Sequence, residues 1–265
     1  MSTAERKINL IHETKNKLCD AGGGINNSIP QHVAIIPDGN SRWAKAHRLF
    51  PMDGYKAGLR ALEQIVSYAN NIGIKYLTVY LMSHENANKR SAKWLQSFFE
   101  FALSAIQEYL QRADINKYKI QTIGDLSRLP DFLRKEFEKL TERTKDNEGL
   151  VLIVAVAYTG QSEILRAVNS VLQARQITGD DRPVTAKEFA QYLDLYGIPP
   201  PDLLIRSANE LRLSGFLLWH LEYTEFAFSP ELWPDFSVER FCDILIDYQC
   251  RPRNFGKERY ETTQT

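Results

Sequence analysis

LVLIVAV, residues 150–156, is seven apolar residues without a polar break. A half-exposed strand would alternate apolar with polar side chains; an unbroken run is expected of a strand covered on both faces, as in a parallel sheet between helices. The flanking sequence supports that reading. A charged amphipathic pattern over 131–146 precedes the run, and QSEILRAVNSVLQ, 161–173, follows it with helical spacing. The same alternation recurs along the chain. HVAII (32–36), YLTVYLM (76–82), YKIQTIG (118–124), DLLI (202–205) and EYTEFAF (222–228) read as strands. Helical patterns cover 56–72, which ends at the Gly73 breaker, 92–111 with its Trp94, Phe98, Ala102, Ile106 and Tyr109 stripe, and 238–249. Thr185 with Glu188 resembles a capping box that opens a further helix. Strand–helix alternation around apolar strands predicts an α/β fold with a central, mainly parallel sheet flanked by helices.

Composition narrows the class. Of 265 residues 43% are apolar and 25% charged, and the formal net charge is zero. That is globular composition with enough chain for a sizeable core, and it argues against a general nucleic-acid or anionic-membrane binder. Cys19, Cys242 and Cys250 are scattered, with no zinc-ligand spacing, and their low odd number suits a reducing cytoplasm. No apolar run has the length of a signal peptide or a membrane span, so the expectation is a cytoplasmic protein whose membrane association is at most peripheral. Residues 4–18 read as a helix or partly ordered extension, joined to the body by a glycine- and asparagine-rich breaker at 20–30.

In parallel α/β sheets ligands bind beyond the carboxyl ends of the strands, and the chemically loaded stretches fall there: PDGNSRW (37–43), SHENANKR (83–90), AYTG (157–160) and RSANELRLS (206–214). Taken singly, PDGNSRW is an ordinary strand-to-helix turn and SHENANKR a solvated charge cluster. Together they supply several arginines and one aspartate able to hold a hard cation, which is what a diphosphate requires. Neither a Walker-type phosphate loop nor a dinucleotide-binding glycine pattern is present, and no histidine stands at a hydrolase elbow.

HVAIIPDGNSRWAK, GYKAG, LTVYLMSHEN, DLLIRSANELRLSGFLLWHLEYTEFAFSPELWPDF and RPRNFG are collinear over about 32–256, and together they resemble the cis-prenyltransferases, the undecaprenyl diphosphate synthase family. The resemblance implies residues 1–30 as an extension and 31–265 as one catalytic domain with an apolar substrate tunnel, acting as a homodimer with Mg²⁺ on isoprenoid diphosphates. By position, Asp38 would serve Mg²⁺ and diphosphate departure. Gly39, Asn40, Arg42 and Trp43 would line the allylic diphosphate pocket. Arg206, Arg212 and Ser214 would hold isopentenyl diphosphate, with Glu210 orienting the arginines. Ser83, Glu85 and Asn86 would form the S-x-E-N segment, its asparagine linked to proton removal. Glu225 would complete the metal and inter-subunit region, and Arg251 and Arg253 would reach the neighbouring subunit's site.

The departures from the family pattern cluster around the phosphates. Tyr55 stands where the family has histidine, Pro51 where it has arginine, and Ser207-Ala208-Asn209 replaces Thr-Gly-Gly. Ala157-Tyr158-Thr159-Gly160 replaces N-Y-G-G, Ala87 replaces an aromatic, and the next family arginine aligns with Lys89 or, after a slip, Arg90. Two before the S-x-E-N serine, where long-chain members carry a small residue, stands Leu81, whose bulk predicts a product of roughly two or three isoprene units. The competing expectations are irregular head-to-middle coupling or cyclisation, a long-chain synthase (disfavoured by Leu81), and a non-catalytic partner subunit (disfavoured by the intact Asp38).

Overall fold

The computed structural model describes residues 29–83, 90–112, 117–253 and 255. Its centre is a six-stranded, wholly parallel sheet built from β1 (His32–Ile36), β2 (Tyr76–Ser83), β3 (Lys119–Ile123), β4 (Val151–Tyr158), β5 (Leu203–Arg206) and β6 (Glu225–Phe228), in the order β3-β4-β2-β1-β5-β6. The helices are α1 (Asn40–Ala46), α2 (Pro51–Ile72), α3 (Ala92–Gln111), α4 (Asp131–Thr144), α5 (Gly160–Thr178), α6 (Ala186–Ala190) and α7 (Val238–Gln249).

The unbroken run at 150–156 serves two cores at once. Leu152, Val154 and Val156 of β4 face the layer containing α3 and α4, whereas Ile153 and Ala155 join the opposite core with Phe216, Leu217 and Leu221. Likewise Val33 and Ile35 of β1 pack with Ile65 of α2 and Phe241 and Leu245 of α7, while Ala34 and Ile36 turn to the other face. Each fully buried Val, Leu or Ile in these layers contributes about 1.5–3 kcal/mol.

Element ends follow local chemistry. Ser91, Thr159, Thr185 and Ser237 each accept a backbone N–H in the first turn of the helix they open. Thr185 therefore starts a helix as expected, although that helix runs only from Ala186 to Ala190. α2 begins earlier than its apolar period suggested: Pro51 occupies a first-turn position, where its missing N–H costs nothing. Only Glu225–Phe228 of the expected strand 222–228 pairs with the sheet. The helix expected over 4–18 lies outside the described residues, and among those described no helix is long and apolar enough to cross a membrane.

β2 carries an irregularity that matters later. Tyr80 is in register with Ala155 and Met82 with Val156, leaving Leu81 as the extra residue of a bulge. Bulges re-aim side chains.

Candidate active site

Asp38 stands two residues beyond β1 and Arg206 is the last residue of the adjacent β5, so strand order brings their side chains together at the carboxyl edge of the sheet. Arg206 Nη2 donates to Asp38 Oδ2 at 2.9 Å, and its Nη1 donates to Ser214 Oγ at 2.9 Å and to the Arg212 carbonyl. Asp38 Oδ1 accepts from Arg42 Nη2 (3.1 Å) and from the Gly39 N–H (2.7 Å). Arg42 in turn reaches Glu210 at 2.9 Å, and Glu210 pairs with Arg212. The result is an alternating chain, Arg206–Asp38–Arg42–Glu210–Arg212, with three guanidiniums against two carboxylates and one net positive charge left over.

Glu210 meets one of the two arginines expected of it, Arg212, and Arg42 in place of Arg206. It orients Arg42 and Arg212, while Arg206 is fixed by Asp38 and Ser214. PDGNSRW makes the strand-to-helix turn expected of it. Asn40 opens α1, and the i,i+4 offset is what places Arg42 on Asp38. Gly39 makes this turn with φ 102°, and a Cβ there would come within 2.9 Å of Leu232.

Burial pushes the Asp38 carboxyl up, but the hydrogen bond and charge of Arg206, then Arg42 and the Gly39 N–H, outweigh it and hold the group below its usual range. Asp38 is therefore an anion in a rim of cations. Ser207, fully buried, clamps its backbone: the hydroxyl accepts the Asp38 N–H and donates to the Asp38 carbonyl, both at 2.8 Å. Nothing in the sequence beyond its position next to Arg206 signals that role.

These groups form one end of a cavity of about 690 Å³. Its polar lining includes Asp38, Arg42, Arg206, Arg212 and Ser214, and its apolar lining Leu59, Leu62, Val79, Leu81 and Phe101. Leu81 therefore reaches the wall from the β2 bulge. Ser83, Asn40, Tyr80 and Trp233 also line it. So does Arg90, its guanidinium 4.8 Å over the Trp94 ring, while Lys89, the other candidate for the family arginine, lies outside the described residues. Tyr55, in the place of the family histidine, sits on the wall with its ring edge-on to Trp94 and Phe98. Its phenol is pushed up by burial against an opposing hydrogen bond with Ser41.

Other expected site residues are elsewhere. The indole of Trp43 donates to Asp235 at 2.7 Å and stacks on His47, away from the cavity wall. Glu225 begins β6, at the amino edge of the sheet, about 10 Å along the strands from Arg206. There it pairs with Arg251 at 3.1 Å. Arg253 is held at the same edge by Asp202 (2.8 Å) and the Tyr248 hydroxyl (2.6 Å). Within one chain, Asp38 and Glu225 cannot share an ion, and Arg251 and Arg253 are far from the cavity. Glu85 and Asn86 lie outside the described residues.

The donor set bears on Mg²⁺. Among the described residues no cluster of three or more His, Cys, Asp or Glu side chains is arranged around a common point. Mg²⁺ that takes one carboxylate and completes its shell with diphosphate oxygens and water needs none. An ionised Asp38 on the cavity rim, with the half-exposed Arg42 as its more easily displaced partner, fits that mode.

Known proteins share this architecture. A sequence model of the family described as "Putative undecaprenyl diphosphate synthase" matches residues 36–256. An isoprenyl transferase of Staphylococcus saprophyticus is 39% identical over 251 residues, covering 93% of this chain and 98% of that protein. Lavandulyl diphosphate synthase from Lavandula x intermedia, solved in complex with dimethylallyl diphosphate, superposes with a TM-score of 0.80 at 35% identity, over 86% of this chain and 99% of that one. "A probable undecaprenyl diphosphate synthase" from Campylobacter jejuni gives 0.73 at 29% identity, over 87% and 100%.

Proposed function

This chain belongs to the undecaprenyl diphosphate synthase family of isoprenyl transferases, and on that premise we propose that it condenses an allylic diphosphate with isopentenyl diphosphate to a short-chain cis-prenyl diphosphate. The observation that carries the reading is one cavity lined both by a guanidinium–carboxylate cluster and by apolar side chains, the two halves of a prenyl diphosphate in negative. The allylic diphosphate meets Asp38, Asn40 and Arg42 at its head and the apolar wall along its tail. Arg206, Arg212 and Ser214 receive the second diphosphate. The allylic C–O bond breaks and diphosphate leaves with the electron pair. A C–C bond then forms from the double bond of isopentenyl diphosphate, and a proton is lost; Ser83 lines the cavity, and the family resemblance links Asn86 to that proton. Asp38 would hold Mg²⁺, which neutralises charge on the departing diphosphate.

Product length is the finer claim. Leu81 on the cavity wall supports a short chain because a packed wall cannot absorb the extra volume. The likeness to a synthase solved with dimethylallyl diphosphate makes that allylic substrate the first to try. The second reading, irregular coupling or cyclisation, draws support from Tyr55 on the wall in place of histidine.

A homodimer fits two features. Leu165, Val168 and Leu172 form an exposed apolar stripe on α5, and the exposed Leu218 lies against Gly160, the first residue of that helix. Arg251, Arg253 and Glu225 also lie at the edge opposite their own cavity, so any catalytic part they play is in a second subunit. No nucleic-acid role is proposed, and a cytoplasmic enzyme with at most peripheral membrane contact remains the reading.

The test is mass-spectrometric product analysis after dephosphorylation, with Mg²⁺ and dimethylallyl diphosphate, alone and with isopentenyl diphosphate. Product only in the mixture, with two or three isoprene units, is expected. Product from dimethylallyl diphosphate alone would replace regular elongation with the second reading.

A further inference from the structure

A second cavity, of about 460 Å³, opens at the amino edge of the sheet, the end opposite the catalytic cavity. Gln31 and Asp202, which directly precede β1 and β5, line it. So do the Pro199-Pro200-Pro201 run, the 219–223 turn and the tail residues Arg253 and Phe255. Its size is that of a ligand pocket, about 300–1,000 Å³. Tyr196, Trp219, Tyr223 and Phe255 all line it and all are exposed, with the last two rings 5.8 Å apart. Single exposed apolar residues need no explanation, whereas exposed rings gathered around one cavity mark a contact site.

The charges of this cavity do not balance. Asp202 is saturated: Oδ1 accepts from Arg253 Nη1 at 2.8 Å, and Oδ2 accepts the Gln31 and His32 N–H groups at 2.8 and 3.1 Å. Arg253 is held by Asp202 and by the Tyr248 hydroxyl, with its guanidinium 4.5 Å over the Phe255 ring. The His220 ring is engaged by Glu163. That leaves Glu222, exposed and without a partner among the described residues. An aromatic cavity with one uncompensated carboxylate suits a segment that is both apolar and cationic. The catalytic cavity has the opposite sign, since its guanidiniums outnumber its carboxylates by one.

This chain has such a segment, and it enters at this edge. Residues 1–28 lie outside the described part, which begins at Ile29, two residues before Gln31 on the cavity lining. Residues 4–18 carry Arg6, Lys7, Lys15 and Lys17 against Glu5 and Glu13. Within them RKINLI, 6–11, joins two of those cations to Ile8, Leu10 and Ile11. The link from Ile11 to Ile29 is 18 residues and includes Gly22-Gly23-Gly24. A flexible link of that length spans about 25 Å, which keeps the segment at an effective concentration of about millimolar beside the cavity. The same span reaches toward the carboxyl edge, but the surplus of cations there repels Arg6 and Lys7.

We propose that residues 6–11 dock in the amino-edge cavity of their own chain, with Ile8, Leu10 and Ile11 against the aromatic rings and Arg6 and Lys7 toward Glu222. Because Arg253 and Phe255 form part of the wall they cover, the amino-terminal extension and the carboxyl-terminal tail then brace each other.

Hydrogen exchange read by mass spectrometry on the full chain tests this, comparing the native protein with Ile8→Asp/Ile11→Asp and with Arg6→Glu/Lys7→Glu at two protein concentrations. Peptides covering 193–201 and 219–224 are expected to exchange about fivefold faster or more in both variants. Peptides covering 37–43 and 206–214, and turnover, are expected to stay unchanged. Glu222→Lys is expected to lose the same protection, and combining it with Arg6→Glu/Lys7→Glu to restore it, which a general loosening of the fold would not do. If Ile8→Asp/Ile11→Asp does not fold, the charge reversals carry the test. Equal exchange in the native and extension-variant chains, faster exchange that extends to the catalytic edge, or no recovery in the combined reversal overturns the proposal. Protection that rises with protein concentration overturns it in favour of a second copy as the occupant.

Discussion

Arg206 donates to Asp38 at 2.9 Å across 168 residues of sequence, with its own side chain 4% exposed. The pair fixes the rim of the cavity and couples its charge to the fold. Replacing Asp38 with Ala removes the carboxylate proposed to organise diphosphate departure and leaves a buried guanidinium short of a partner. Turnover is expected to fall by about 10²–10³ or more, and stability by about 1–3 kcal/mol. Kinetics beside urea unfolding check both; near-native turnover would remove Asp38 from the chemistry.

Leu81→Ala is expected to lengthen the product. The bulge at this position directs the side chain to the cavity wall, so truncation opens depth instead of a closed void. Chromatography of the dephosphorylated products checks it, and an unchanged length distribution would mean that another residue ends the cavity.

Ala208 and Asn209 stand where the family has two glycines, and both keep left-handed backbones, φ 69° and 55°. Alanine there carries strain of about 1–2 kcal/mol, partly offset by the about 0.4–1 kcal/mol that glycine costs through the unfolded chain. Ala208→Gly is therefore expected to stabilise by about 0.5 kcal/mol, and Asn209→Gly, replacing a residue that tolerates this region, to be close to neutral. Urea midpoints decide; a destabilised Ala208→Gly would show that the methyl's packing outweighs its strain.

His32 gives the fold a pH dependence. Its ring is buried between the Pro199 carbonyl (2.6 Å from Nδ1) and the Thr78 hydroxyl (2.7 Å from Nε2). Burial lowers its pKa to about 4, against weaker opposing effects of Pro199 and Asp202. The folded chain thus refuses a proton that the unfolded chain accepts below its ordinary value of about 6.5. Stability is full above that value and is lost as pH falls toward 4, by an amount on the order of 3 kcal/mol. Urea unfolding from pH 7 to 4 is expected to show this slope, reduced in His32→Gln. Asp38 contributes in a lower window: its depressed pKa gives stability present above the unfolded value of about 4 and lost only below it.

The α5 stripe predicts the assembly. Leu172→Glu places a charge on the exposed apolar face and is expected to shift a dimer to monomer in light scattering. A monomeric native protein would remove the two-chain role of Arg251, Arg253 and Glu225.

Sequence alone determined the parallel α/β sheet, because an unbroken apolar run such as 150–156 records burial on both faces, and burial periodicity is a local property. It showed the family, and the resemblance singled out Asp38, Arg42, Arg206, Arg212 and Ser214, which the fold gathers on one cavity. Only the tertiary structure decided how they pair. Glu210 serves Arg42 rather than Arg206, Ser207 clamps Asp38, and Trp43 turns away to Asp235, since these contacts depend on which strands are neighbours and on where α1 begins. It also put Glu225, Arg251 and Arg253 at the opposite edge. The physical reason is range: side-chain period and turn chemistry are written within a few residues, whereas a hydrogen bond across 168 residues exists only after the sheet has chosen its order.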